Sequence, residues 1–314
     1  MNWENQHAVK QKIIIGTRGS KLALWQAEHV ADILRTMNPD LEVDLQHIVT
    51  IGDKILDVPL AKIGGKGLFT KELETAMLSG EIDLAVHSLK DMPTELPPGL
   101  ILAATTVRMD PHDAFVSHKY SSLAELPQGA VVGTSSLRRG AQLLRLRPDL
   151  QIVSLRGNLN TRLRKLDEGQ FDAVVLAAAG LHRLGMGDRI AAVFSPTECL
   201  PAVGQGVLAI EVRADDAEVR SMVARLDDAE TRTCVTAERK FLAVVQGGCQ
   251  VPVGVFGQME SGQLVLSARI LSLDGVRCIE GKIAGMPTEA AELGEALAGQ
   301  LLAAGGREIL AELE

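Results

Sequence analysis

Cys249 follows two glycines and precedes a proline-containing, β-like run in the stretch VVQGGCQVPVG. The other cysteines, Cys199, Cys234 and Cys278, show neither CxxC nor His/Cys pairs at zinc spacing, so neither a disulfide framework nor a metal site is indicated. Each of those three reads as a free buried thiol. The permissive glycine backbone around Cys249 asks for another use. In HSLKDMP, Lys90 and Asp91 stand side by side after an apolar run. Opposite charges at a strand end keep a carboxylate ionised in a partly dry site, where it can stabilise a cation or move a proton; a solvated surface pair is the alternative. No Ser or Cys nucleophile pattern accompanies His87, which reads as a hydrogen-bonded structural histidine.

Arginines are concentrated in one region. From Ala130 to Ile190 nine Arg and one Lys face five Asp and Glu, a local surplus of five positive charges in a chain of net charge −8. Arg145, Arg147 and Arg164 read as solvated helix faces. Arg138, Arg139, Arg156, Arg162 and Arg183 instead fall near the ends of apolar strands, where side chains converge on a cleft. Guanidinium forks grip carboxylates or phosphates through paired hydrogen bonds, and no GxxxxGK[ST] or GxGxxG phosphate motif is present. A small organic ligand with several carboxylates fits best. Single-stranded nucleic acid would want stacking platforms, and aromatics are 3% of the chain.

These residues need elements to hold them. KIIIGTRGSKLALWQAEHVADILRTM reads as a strand over Ile13–Ile15, a turn, and a helix from about Ser20; AVVGTSSLRRGAQLLRL repeats the order of strand, Gly-Thr turn with a serine, and helix over a hundred residues later. The two units predict two lobes of similar build. Further strands in LEVDLQHIVT, IDLAVHS, ILAATT, DAFVS, QIVSL, DAVVLA and GVLAIEV alternate with helices, which gives an α/β class with mixed, largely parallel sheets. After about Asp228 the pattern changes to a helix, three hairpin-like strands and a last helix: a small α+β domain, with Cys249 on its first helix-to-strand loop. The segment Thr50–Phe69 reads as a mobile lid or an ordinary surface loop. The longest apolar stretch, AVVLAAAGL, is about half the roughly 20 residues of a membrane helix, and MNWENQHAVKQK is too polar for a signal peptide. The expectation is a cytoplasmic protein. A two-lobed binding or sensor protein without chemistry would use the same lobes and arginines, but would have no use for Cys249 in its glycine turn.

Nine stretches, in one order from Ile13 onward, resemble the porphobilinogen deaminase (hydroxymethylbilane synthase) family: GTRGSKLALWQA, AKIGGKGLFTKELE, DLAVHSLKDMP, DPHDAFVS, VVGTSSLRRGAQL, SLRGNLNTRL, AAAGLHRLG, LPAVGQGVLAIE and GGCQVPVG. The resemblance implies two lobes like those of periplasmic binding proteins, with domain 1 at 1–106 and 207–226, domain 2 at 107–206, and a cofactor-bearing domain 3 at 227–314. It implies a monomer that condenses four porphobilinogen molecules head to tail, with loss of ammonia, on a dipyrromethane cofactor joined by a thioether to Cys249. Asp91 would be the catalytic carboxylate. Lys90, Asp91, Thr134, Ser135, Ser136, Arg138, Arg139 and Gly157 would surround the cofactor. Arg18, Ser20, Arg156, Arg162 and Arg183 would bind substrate acids, with Lys62 and Lys66 helping to close the site. No metal, nucleic acid or membrane partner is implied.

Overall fold

The run KIIIGT is apolar on both faces, as a strand buried between helical layers must be, and it forms β1 (Lys12–Thr17). Ser20 then accepts a hydrogen bond from the Ala23 amide at 3.2 Å, capping α1 (Lys21–Met37), which turns Ala27, Val30, Ala31 and Leu34 inward. The computed structural model that gives these elements describes residues 10–54, 67–246 and 251–313. The first lobe continues through β2 (Glu42–His47), α2 (Lys71–Leu78), β3 (Leu84–Ser88) and β4 (Leu100–Thr105).

The chain then crosses over and builds β5 (Asp113–Val116), β6 (Val131–Gly133), α3 (Leu137–Leu146), β7 (Gln151–Val153), α4 (Leu159–Asp167), β8 (Ala173–Ala177), α5 (Ala178–Arg183) and β9 (Ala192–Val193). It returns as β10 (Leu208–Arg213), followed by α6 (Ala217–Val223). The first sheet has the order β2-β1-β3-β10-β4 and the second β7-β6-β8-β5-β9. In each, the strand that has just crossed between lobes, β10 or β5, lies antiparallel between its two neighbours, while the other half of the sheet is parallel. The two strand-turn-helix units of the sequence therefore sit at the same place in two sheets of the same plan. β1 is flanked by β2 and β3, and β6 by β7 and β8. Two core clusters cover the second sheet, and Ile13, Ile15, Val30, Leu34, Val86 and Ile210 belong to the main core of the first.

The remaining chain forms α7 (Ala229–Val244), the antiparallel strands β11 (Val253–Glu260), β12 (Gln263–Leu271) and β13 (Cys278–Gly285), and α8 (Ala290–Leu301). Phe241 and Leu297, both fully buried, meet Val255 and Leu266 in its core. This unit is docked on the returning segment, where the Val255 amide donates to the Pro201 carbonyl at 3.0 Å. Among the described residues no helix is long and apolar enough to cross a membrane.

Candidate active site

The side chains of interest stand where parallel strands give way to helices, the ends at which free amides and helix dipoles favour anions. Arg18 and Ser20 follow β1. Asp91 and Lys90 lie on a single 3-10 turn, Leu89–Asp91, directly after β3. Arg18, Ser20, Gln26, Phe69, His87, Ser88 and Asp91 line one cavity in the first lobe. Arg18 is already engaged: it pairs with Asp53 at 2.5 Å and lies 4.2 Å from the centre of the Phe69 ring. Burial on its own would raise the Asp53 carboxyl, but the hydrogen bonds and charge of Arg18 outweigh it and hold the group below its ordinary value. His87 is structural, as expected, with Nε2 3.0 Å from the buried Glu211 carboxylate.

On the second lobe Ser136 caps α3, accepting from the Arg139 amide at 3.4 Å. Thr134 accepts from the Ser136 amide at 3.2 Å, and Ser135 donates to the Leu155 carbonyl at 2.7 Å. These bonds shape the turn that launches Arg138 and Arg139. After β7, Gly157 takes a φ of +110°, a conformation that L side chains rarely adopt, and a Cβ there would stand 2.7 Å from Thr161. Its carbonyl receives Arg162 Nε at 2.8 Å. The glycine thus lets the chain fold back tightly enough to fix Arg162 at the start of α4.

The electrostatics join the two lobes. Lys90 and Arg162 each keep some surface open to the cleft, yet protein surrounds both charges. Burial pushes the Lys90 ammonium down to about 8, Arg139 adding to the effect and Asp91 opposing it. Burial likewise pushes Arg162 down to about 10, with Arg139 and Arg156 lowering it further and Asp91 pulling the other way. Lys90, Arg138, Arg139, Arg156 and Arg162 therefore crowd around two carboxylates, Asp91 and Asp113. The surplus disfavours the charged forms of Lys90 and Arg162, and acids of a ligand would offset it.

Other expected residues are placed differently. Arg138 is buried with its guanidinium on Asp113 at 2.7 Å and on the Leu200 carbonyl at 2.6 Å. Arg183, also buried and lowered to about 10 by that burial, donates to the Gly206 carbonyl at 2.8 Å. Arg147, read from sequence as a solvated face, instead pairs with Asp149 and donates to the Leu123 carbonyl at 3.0 Å. Cys249, Lys62 and Lys66 lie outside the described residues. The other three thiols are free. Burial raises all three and takes Cys199 and Cys234 up to about 12, which leaves them poor nucleophiles. Sequence reasoning passed over Gln26, whose amide donates to Ser88 Oγ at 2.9 Å. Its signal was present: a polar residue on the buried face of α1, beside Ala23 and Ala27. Asp113 and Gln205, both fully buried, were also passed over.

Two α/β lobes of one plan, with cations from both gathered around a carboxylate at the facing strand ends, define a clamp for a polyacidic ligand. The chain belongs to the porphobilinogen deaminase family: residues 13–221 match the model described as porphobilinogen deaminase, dipyromethane cofactor binding domain, and residues 232–303 match its C-terminal domain. The chain is 54% identical over 305 residues to the porphobilinogen deaminase of Desulforudis audaxviator, covering 97% of this chain and 99% of that one. It is also 54% identical over 302 residues to that of Geobacter sulfurreducens, covering 96% and 95%. Among solved structures, the methionine-binding protein MetQ aligns with a TM-score of 0.46 and 19% identity over 69% of this chain and 89% of that one. A nutrient-binding protein from Burkholderia cenocepacia bound to methionine aligns at 0.43 and 18%, over 67% and 90%.

Proposed function

We propose that the cleft joins four porphobilinogen molecules head to tail on a dipyrromethane held by Cys249, releasing one ammonia per unit and finally hydroxymethylbilane. The observation that carries this reading is the excess of five cations over two carboxylates at the meeting of the lobes. Five cations against two carboxylates leave three positive charges, and each pyrrole of such a ligand bears two carboxylates, so one ring is neutralised in full and a second in part. The residues present therefore suit a dipyrromethane, and Lys90, Thr134, Ser135, Ser136, Arg138, Arg139 and Gly157 would surround it. Bound there, it supplies the nucleophilic pyrrole α-carbon.

Asp91 does the electrostatic work. As the C–N bond of porphobilinogen breaks, the electron pair leaves with nitrogen as ammonia and positive charge develops on the ring. A fixed carboxylate beside that ring stabilises it without reorganisation. Arg18, Ser20, Arg156 and Arg162 orient the substrate through its acids, with Arg183, Lys62 and Lys66 in support. The new C–C bond forms as the α-carbon loses its proton, so each cycle gives ammonia and one proton. The reading includes a monomeric, cytoplasmic enzyme with domains at 1–106 with 207–226, 107–206 and 227–314; light scattering at twice the chain mass would overturn the monomer.

Intact mass spectrometry of the purified protein tests the whole reading. The expected mass exceeds that of the chain by two pyrrole units, rises in single-unit steps with limited porphobilinogen, and falls to the bare chain in Cys249→Ser. A folded protein whose mass porphobilinogen cannot change would be a binding protein without this chemistry.

A further inference from the structure

Behind the cation cluster lies a carboxylate with no exposure to the cleft. Asp113, the first residue of β5, is fully buried. Its Oδ2 accepts from Arg138 Nη1 at 2.7 Å and from the Cys199 thiol at 3.2 Å. Its Oδ1 accepts from Arg139 Nε at 2.8 Å and from Gln205 Nε2 at 2.9 Å, and lies 2.6 Å from Arg139 Nη2 in the ion pair. Burial would raise the carboxyl, but Arg138 and Arg139 override it and hold it far below the carboxylate range. Gln205, also fully buried, donates from the same nitrogen to the Pro111 carbonyl at 2.7 Å. Its Oε1 faces Lys90 Nζ and Arg139 Nη2, each at 3.4 Å.

The amide can be seated only one way. Reversed, it would turn an NH2 group toward two cations and an oxygen toward a carboxylate. Lys90 stands on the first lobe, Arg139 and Asp113 on the second, and Gln205 on the segment that returns between them. Two guanidiniums buried without a counter-charge would be strongly unfavourable, and with one they are confined to a single pose.

We propose that Asp113 and Gln205 are positioning residues for the condensation: Asp113 fixes the pose of Arg139, and through Gln205 the place of Lys90, so that cations of both lobes meet the ligand acids in register. The inference rests on the reading that Lys90 and Arg139 bind those acids. Charge supports the geometry. Lys90 is faced by Asp91 on its own turn, by Arg138 and Arg139 from α3, by Asp113 from β5 and by the Gln205 amide. The two carboxylates favour its charged form and the two arginines oppose it. Activity that needs the ammonium is full at low pH and falls as pH rises through the Lys90 value, which is about 8 without ligand acids beside it and higher with them. Without the Asp113 charge, that basic limb moves to lower pH.

The test compares Asp113→Asn, Gln205→Met and Lys90→Gln in the cofactor-loaded enzyme, reading kcat/KM for porphobilinogen against pH, cofactor content by intact mass, and the thermal midpoint. Asp113→Asn is expected to load less cofactor and to shift the basic limb acidward by roughly half a unit. Gln205→Met is expected to raise KM several-fold and shift the limb in the same direction, with little change in thermal midpoint. If Asp113→Asn does not fold, the limb of Gln205→Met decides. A limb that vanishes in Lys90→Gln but stays at its wild-type pH in the other two variants, with only their thermal midpoints altered, overturns the positioning role alone. A basic limb that survives Lys90→Gln at its wild-type pH removes Lys90 from ligand binding and the inference with it.

Discussion

Asp91 carries the heaviest chemical assignment, and its setting suits the task. It ends a 3-10 turn anchored on β3, lines the cavity that holds Arg18 and Ser20, and acts electrostatically on both Lys90 and Arg162. A carboxylate fixed beside a developing cation stabilises it without reorganisation, and stabilisation of that kind is worth on the order of 10² to 10³ in rate for one group. Asp91→Ala should therefore lose turnover by about that factor, with native circular dichroism and with the cofactor mass retained. Wild-type kcat in that variant would take Asp91 out of the mechanism. Arg156 bears on a different constant. Its charge adds to the crowd around Arg162, so Arg156→Met should raise KM for porphobilinogen more than it lowers the thermal midpoint, and initial-rate kinetics beside a melting curve would show the split.

At the level of elements the same contrast separates Arg147 from its neighbours. Arg147 closes the C-terminus of α3 and donates to the carbonyls of Leu123 and Leu126 at 3.0 and 3.2 Å while paired with Asp149. Arg147→Met should lower the thermal midpoint and leave KM for porphobilinogen unchanged; an altered KM would place it in the cleft. In the sequence Arg147 stood apart from the cleft arginines as a solvated helix face, but its ties to Asp149 and the Leu123 carbonyl were not legible there. The strand-turn-helix units were legible, because apolar runs, a Gly-Thr turn and a serine ahead of the helix are local signals, and both serines do cap. The partners were not. Asp113 lies 25 residues from Arg138, 26 from Arg139 and 92 from Gln205, and no local pattern says which buried carboxylate meets which guanidinium. Lone polar residues in apolar settings, Gln26 on α1 and Asp113 at the head of DAFV, were the available clue, and they mark burial without naming a partner.

Across the whole molecule, three units must be held together. α7 and β11 lie on either side of Cys249 in the chain, and the fully buried Glu238 ties them together. It stands on α7 and accepts from the Gly257 amide of β11 at 2.9 Å, from the Gly204 amide of the returning segment at 2.7 Å, and from Arg108 of the outgoing crossover at 2.6 Å. Arg108 in turn donates to the Gln205 carbonyl at 3.3 Å, so both crossovers and the third unit meet at one carboxylate. Two arginines of α7 hold the first lobe: Arg239 on the Pro93 carbonyl at 2.8 Å and Arg232 on that of Ala103 at 2.9 Å. Breaking a buried pair by removing one partner leaves an uncompensated charge and costs about 3–5 kcal/mol. Arg108→Met should therefore destabilise the protein by about that amount in denaturant unfolding. Because its partner is the residue that ties together the elements on either side of Cys249, the folded fraction should also load less cofactor. The double variant Arg108→Met with Glu238→Gln removes the stranded charge, and its amide oxygen can receive one of the two backbone amides, Gly257 or Gly204, which donate to different oxygens of Glu238; it should therefore recover only part of the lost stability. If the double variant is less stable than Arg108→Met alone, the backbone amides rather than the guanidinium are what the Glu238 charge chiefly serves, and the joint is held by α7 and β11 without help from the crossover.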